Sequence, residues 1–182
     1  MFDRHLTDLS VSEFLQAVAS AAQPVPAGGS VAALSGAASA ALLVLVCDVF
    51  ERHRPDVLTQ SRQKAAELQQ KLLALVDDDA AAFRGFLDAE RGSPERQAGG
   101  SRVAQIPLDI GRACLEISQL VRSIQPHLAG SMRLDVATAN NIAQAAARSA
   151  LDIAQDNLGL VVDPIQRREI ASAIQGLRPQ EP

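Results

Sequence analysis

Apolar positions along this chain recur at steps of three and four residues, and no stretch alternates with period two for long. That pattern, in a chain whose commonest residue is Ala, predicts an all-α protein of about six helices in a single domain spanning residues 1–182. Ser10-Val11-Ser12-Glu13 reads as a capping box, opening a first helix that reaches about Ala22 with Phe14, Leu15 and Val18 on its apolar face. Prolines and glycines crowd residues 23–29 and exclude a helix there. Ser30 is placed as the cap of a second helix ending near Glu51, and a long amphipathic third helix covers Asp56 to Asp88. Residues 91–101 read as a mobile loop. A fourth helix follows over Arg102 to Ile124, with Pro107 near its start or kinking it, and a fifth over Ser131 to Leu158. Pro164, directly after Asp163, starts a short last helix.

The second helix departs from the amphipathic norm. Ala32, Gly36 and Ala40 form a stripe of small residues with Ala33, Ala37 and Ala41 beside it, which lets another backbone approach closely. Leu42, Leu43, Leu45 and Val46 make its C-terminal half apolar on nearly every side, and such a helix has to be surrounded. In a chain of 182 residues part of that surround is expected to come from a second copy, giving a homo-oligomer; the alternative is a central helix enclosed by the other five. The uncharged run Val31 to Cys47 is short for a membrane span and as rich in Ala, Ser and Gly as in Leu and Val, so a buried or interface helix is expected rather than a membrane segment.

Charge narrows the choice of partner. A formal net charge of −4, with aromatics at 3% and neither Trp nor Tyr, argues against a nucleic-acid surface, which needs basic groups and stacking platforms. Cys47 and Cys114 sit among apolar neighbours without metal-ligand spacing and read as buried free thiols. With no secretory leader pattern in the first residues, a cytoplasmic location is expected. His5, His53 and His127 share no metal-ligand spacing, so neither a metal site nor a nucleophile triad is expected.

Two carboxylates fall where apolar residues belong. The third helix has a seam through Leu58, Ala65, Leu68, Leu72 and Leu75 to Phe86, and Asp79 lies on it, whereas Asp77 and Asp78 are rotated away as solvated charges. On the fifth helix Asp135 shares a stripe with Leu128, Met132, Ala139 and Ile142. A seam carboxylate is costly unless hydrogen-bonded, paired or facing a pocket, and its desolvation raises its pKa toward the range a general acid or base needs. Both readings of Asp79 and Asp135 stand at this point: an acid/base pair, or structural groups that cap a helix or pair with Arg112, Arg122 or Arg133. The Gly28-Gly29-Ser30 turn enters a helix N-terminus and offers free N–H groups to an anion.

Four stretches, in order, resemble a known family. They are the run from Pro24 to Ala37 (PVPAGGSVAALSGA), Asp77 to Phe83 (DDDAAAF), Ile106 to Ile110 with Cys114-Leu115-Glu116, and Asp135-Val136-Ala137 before an Ala-rich helix. Together they are similar to the cyclodeaminase/cyclohydrolase family over roughly residues 10–160, with Ala27 standing where the family usually has a first glycine. The resemblance implies an all-helical dimer that acts on a one-carbon tetrahydrofolate. Such enzymes either hydrolyse 5,10-methenyltetrahydrofolate or cyclise 5-formiminotetrahydrofolate with loss of ammonia, and the folate is a substrate rather than a bound cofactor. In that setting Asp79 and Asp135 are the expected catalytic carboxylates, and Gly28, Gly29 and Ser30 the cradle for an anion or oxyanion. Phe83 is expected to stack on the pterin, and Arg52 and Arg54 to meet the glutamate tail. The alternative is a non-catalytic or folate-independent helical dimer that keeps the fold.

Overall fold

A computed structural model describes residues 4–178; residues 1–3 and 179–182, which the one-domain and no-leader expectations include, lie outside it. Six α-helices follow one another: α1 Val11–Ala19, α2 Gly28–Glu51, α3 Thr59–Asp88, α4 Pro94–Ile124, α5 Met132–Asn157 and α6 Pro164–Leu177. Short 3₁₀ turns precede α1 (Leu6–Asp8) and join α4 to α5 (Gln125–His127) and α5 to α6 (Leu158–Leu160). The all-α fold agrees with the sequence pattern, and the capping box at Ser10 and Glu13 is formed in both directions.

Helices α2 to α5 carry the core, and the contacts between them set their directions. A Cβ on Gly28 would lie 3.2 Å from Ile153. Farther along, Ser39 donates to the Ala139 carbonyl at 2.6 Å, and the Phe50 and His127 rings meet edge-on. Rising numbers on α2 thus meet falling numbers on α5. Likewise Val103 faces Asn157 and Gly111 faces Leu151, so α4 and α5 are antiparallel too. The small residues of α2 serve this packing: a Cβ on Gly36 would lie 2.6 Å from Cys114 Sγ and 3.1 Å from Leu72. Both cysteines are free and buried, and desolvation lifts Cys114 to about 12 and Cys47 to about 11.

Three local expectations are corrected. Only residues 91–93 of the expected 91–101 loop are a turn; from residue 94 the segment is helix, because Ser93 accepts from the Arg96 N–H, Pro94 occupies the first turn and α4 begins there. The Gly99-Gly100 pair that reads as a breaker sits inside the helix where side chains have no room: a Cβ on Gly99 would lie 3.2 Å from Phe86, and one on Gly100 would strike the Leu160 carbonyl. Asp77 is not a free solvated charge, since its carboxylate accepts from the Leu6 N–H (2.6 Å) and the Thr7 hydroxyl (3.0 Å) and ties the N-terminal turn to α3. The first helix stops at Ala19, where Ser20 turns extended ahead of Pro24.

Helix α2 is long and apolar enough to cross a membrane, yet 56% of its most apolar window is buried inside the fold. Nor do the other helices enclose it. Leu45 is 53% exposed and Val31 37%, Ala38 is exposed between them, and Leu34, Leu42 and Val49 are half-buried, leaving one apolar stripe along its outer side.

Candidate functional site

Ser30 is not the cap of α2. The helix starts at Gly28 after Ala27, whose side chain has nothing to offer the free N–H groups of the first turn. That role is taken by Asp79, reaching across from the middle of α3. Its Oδ2 accepts from the Ser30 hydroxyl at 2.9 Å, and the Ser30 backbone N–H bonds to the same carboxylate. Gly29 permits the approach, since a Cβ there would lie 2.6 Å from Oδ2 and closer still to Oδ1. Asp79 is thus held by the turn predicted to bind an anion, and the anion is the protein's own.

Desolvation dominates its ionisation. Burial pushes the Asp79 carboxyl above the usual carboxylate range, while the hydroxyl and N–H of Ser30 pull it partway back. The carboxylate looks into a cavity of about 250 Å³ whose walls are otherwise mainly apolar. Val25, Gly28 and Gly29 form one side, Ala82 and Phe83 continue from Asp79 on α3, Val103 and Ile106 come from α4, and Ile153 and Asn157 from α5.

Asn157 is the polar group that sequence reasoning did not single out. Pro107 lies within α4 and has no N–H, so the carbonyl four residues earlier, that of Val103, loses its helical donor. The Asn157 amide supplies the missing donor at 2.6 Å. An in-helix proline four residues after a cavity-lining position was the available signal. Asp152 and Asp156, its acidic neighbours, are exposed, and Asp152 pairs with Arg178.

The expected site residues divide into two groups. Gly28, Gly29, Ser30, Asp79 and Phe83 come together at the N-terminal end of α2. Arg52 and Arg54 follow its other end, about 36 Å away at ~1.5 Å per residue. Asp135, in the first turn of α5 and half-buried, is about 27 Å along that helix from Ile153. Within one chain Asp135, Arg52 and Arg54 therefore do not share the Asp79 cavity. Nor does any of the arginines suggested by sequence pair with the seam carboxylates: Arg112 binds Asp109, and Arg133 donates to the Leu128 carbonyl.

The sequence profile of the formiminotransferase-cyclodeaminase family matches residues 10–176. The chain belongs to that family. It is similar to a methenyltetrahydrofolate cyclohydrolase from Methylorubrum extorquens, 29% identical over 131 residues. That match takes in 63% of this chain and 62% of the relative's length. The fold of this chain is similar to that of a formiminotetrahydrofolate cyclodeaminase from Thermotoga maritima, at a TM-score of 0.83 and 21% identity, over 93% of this chain and 88% of the other.

Proposed function

We propose that this formiminotransferase-cyclodeaminase family member is a tetrahydrofolate one-carbon enzyme that hydrolyses 5,10-methenyltetrahydrofolate, with ring closure of 5-formiminotetrahydrofolate as its second candidate reaction. The observation that carries the reading is Asp79, a carboxyl raised by desolvation and held by Ser30 and Gly29 against a largely apolar cavity. The methenyl carbon is part of a cationic amidinium. As a water oxygen bonds to it, the ionised Asp79 takes the water's proton. Protonated Asp79 then returns a proton to N5 as the C–N5 bond breaks, and the remaining hydroxyl proton passes to solvent as the C=O of the formyl group on N10 forms. A carboxylate in apolar surroundings also stabilises the cation electrostatically. Phe83, half-buried in the same wall, offers a ring face to the pterin.

Asp135, Arg52 and Arg54 enter this proposal through a second copy. The apolar outer stripe of α2 through Val31, Ala38 and Leu45 suits a two-fold homodimer contact. An antiparallel pairing of α2 centred on Ala38 would lay the Gly28 end of one copy beside the Arg52 end of the other, where a folate tail carries its carboxylates. Two buried free thiols suit a reducing, cytoplasmic setting. A second reading, a helical protein that keeps the fold without the chemistry, has one observation in its favour: Asp79 already serves as the cap of α2.

The decisive experiment follows the near-ultraviolet absorbance of 5,10-methenyltetrahydrofolate with and without protein. Accelerated loss that disappears in a folded Asp79→Asn variant supports the hydrolase. Equal rates with protein and buffer, for both methenyl and formimino substrates, leave the cap reading.

A further inference from the structure

A second groove is larger than the Asp79 cavity. It lies on the other side of α5, between α4 and α5 and under the end of α6, with a volume of about 560 Å³. From α4 it takes Leu115, Ser118, Gln119 and Arg122, and from α5 Gln144, Ala147, Arg148 and Leu151; each set is spaced three, four and seven residues apart along one helix face. Gly176 and Leu177 form the third wall, pinned there by the Arg178–Asp152 ion pair at 2.6 Å. From Ile106 in the first cavity to Ser118 in this groove is about 18 Å along α4.

We propose that this groove binds a small organic oxyanion, a carboxylate or phosphate ester with an apolar body, at a site separate from the Asp79 cavity. Three independent features support this. Arg122 and Arg148 both line the groove, and among the described residues neither is in an ion pair. Side chains on a helix lean toward its N-terminus, and because α4 and α5 run antiparallel these two arginines lean toward each other above the Ser118–Gln144 level. Both side chains are exposed at the groove and, among the described residues, free of a carboxylate partner, so an oxyanion seated between them would accept charge-assisted hydrogen bonds from both sides.

The floor supplies the second feature. Ser118 is 2% exposed, and its hydroxyl has no hydrogen-bond partner in the fold. Buried polar groups are nearly always paired, so an orphan in a groove wall marks a place where something outside the chain completes the bonding. The third feature is the remaining surface: Leu115, Leu151, Leu177 and Ala147 line the groove with apolar side chains that suit a hydrocarbon or aromatic body.

The test titrates the full-length protein with benzoate, phenyl phosphate and the uncharged benzamide, read by amide chemical shifts in ¹H–¹⁵N spectra. Saturable shifts at Ser118, Gln144 and Arg148 with benzoate or phenyl phosphate, and none with benzamide, are expected. Arg122→Gln and Arg148→Gln keep most of each aliphatic stem, and each should weaken binding by about tenfold, the value of a lost hydrogen bond to a charged group. Asp79→Asn should leave the affinity unchanged, which separates this site from the catalytic proposal. The idea is overturned if no probe saturates, if benzamide binds as tightly as benzoate, or if the shifts map to the Asp79 cavity and ignore both arginine variants.

Discussion

Gly29→Ala puts the site under a test whose size follows from the geometry. The new methyl carbon would lie 2.6 Å from Asp79 Oδ2, roughly 1 Å inside ordinary contact. Both helices are long and packed along their length, so the side chain of Asp79 has to give way, and its hydrogen bonds to Ser30 are stretched or lost. A hydrogen bond to a charged acceptor contributes about 1.5–3 kcal/mol, offset by at most about 1 kcal/mol from replacing glycine with alanine in a helix. The net loss of about 0.5–2 kcal/mol corresponds to a melting point lower by about 1–8 °C for a chain of this length. Activity should fall further, because moving a reacting group by about 1 Å costs about a hundredfold in rate. Gly85→Ala is the control: on the exposed side of α3 nothing lies within 4 Å of its Cβ, so it should stabilise by about 0.5–1 kcal/mol and leave turnover alone. The measurements are thermal melts by circular dichroism and the decay of methenyltetrahydrofolate absorbance. A Gly29→Ala protein that melts and turns over like the parent would refute the placement of Asp79.

Three further outcomes follow. Because the folded Asp79 carboxyl titrates above its unfolded value, its penalty on folding is absent at low pH and grows as pH rises through the folded value. Asp79→Asn should therefore be more stable than the parent at neutral pH and equal to it near pH 3, as read by denaturant titration; a variant less stable at neutral pH would mean that the charge is a net stabilising cap. Ser30→Ala removes a hydroxyl that holds the Asp79 pKa down, so the acidic limb of the pH–rate profile should move to higher pH, and an unmoved limb would exclude Asp79 as the titrating group. Leu45→Glu places a charge in the exposed apolar stripe of α2 and should convert a dimer to a monomer in sedimentation at micromolar concentration, with unchanged helicity; a parent protein that is already monomeric removes the dimer from the proposal.

What could be read from the sequence was whatever depends on neighbours along one helix. The seam that carries Asp79 is set by spacing on α3 alone, and the capping box at Ser10 is set by four consecutive residues. The more telling failures involve a partner from elsewhere in the chain. Ser30 looked like a cap because local rules favour a serine at a helix entry, but a carboxylate from α3 caps the helix instead. Gly99-Gly100 looked like a loop because its glycines answer to Phe86 and Leu160, which no window around residue 99 includes. Asp79 and Asp135 look equivalent by periodicity, yet antiparallel packing carries them to opposite ends of the bundle.

Pro107 has a consequence for how the cavity can change over evolutionary time. By withholding a donor from Val103 it leaves a vacancy inside α4 that Asn157, 54 residues beyond Val103 in sequence, fills. Replacing Asn157 alone strands a carbonyl, and replacing Pro107 alone restores a rival donor and releases the amide to turn. The two positions are therefore expected to drift as a unit, and a double-mutant cycle between them should show non-additivity although their side chains belong to different helices. A lineage that loses the proline is free to reset the polarity of the α5 wall, and with it the ligand, without touching Asp79.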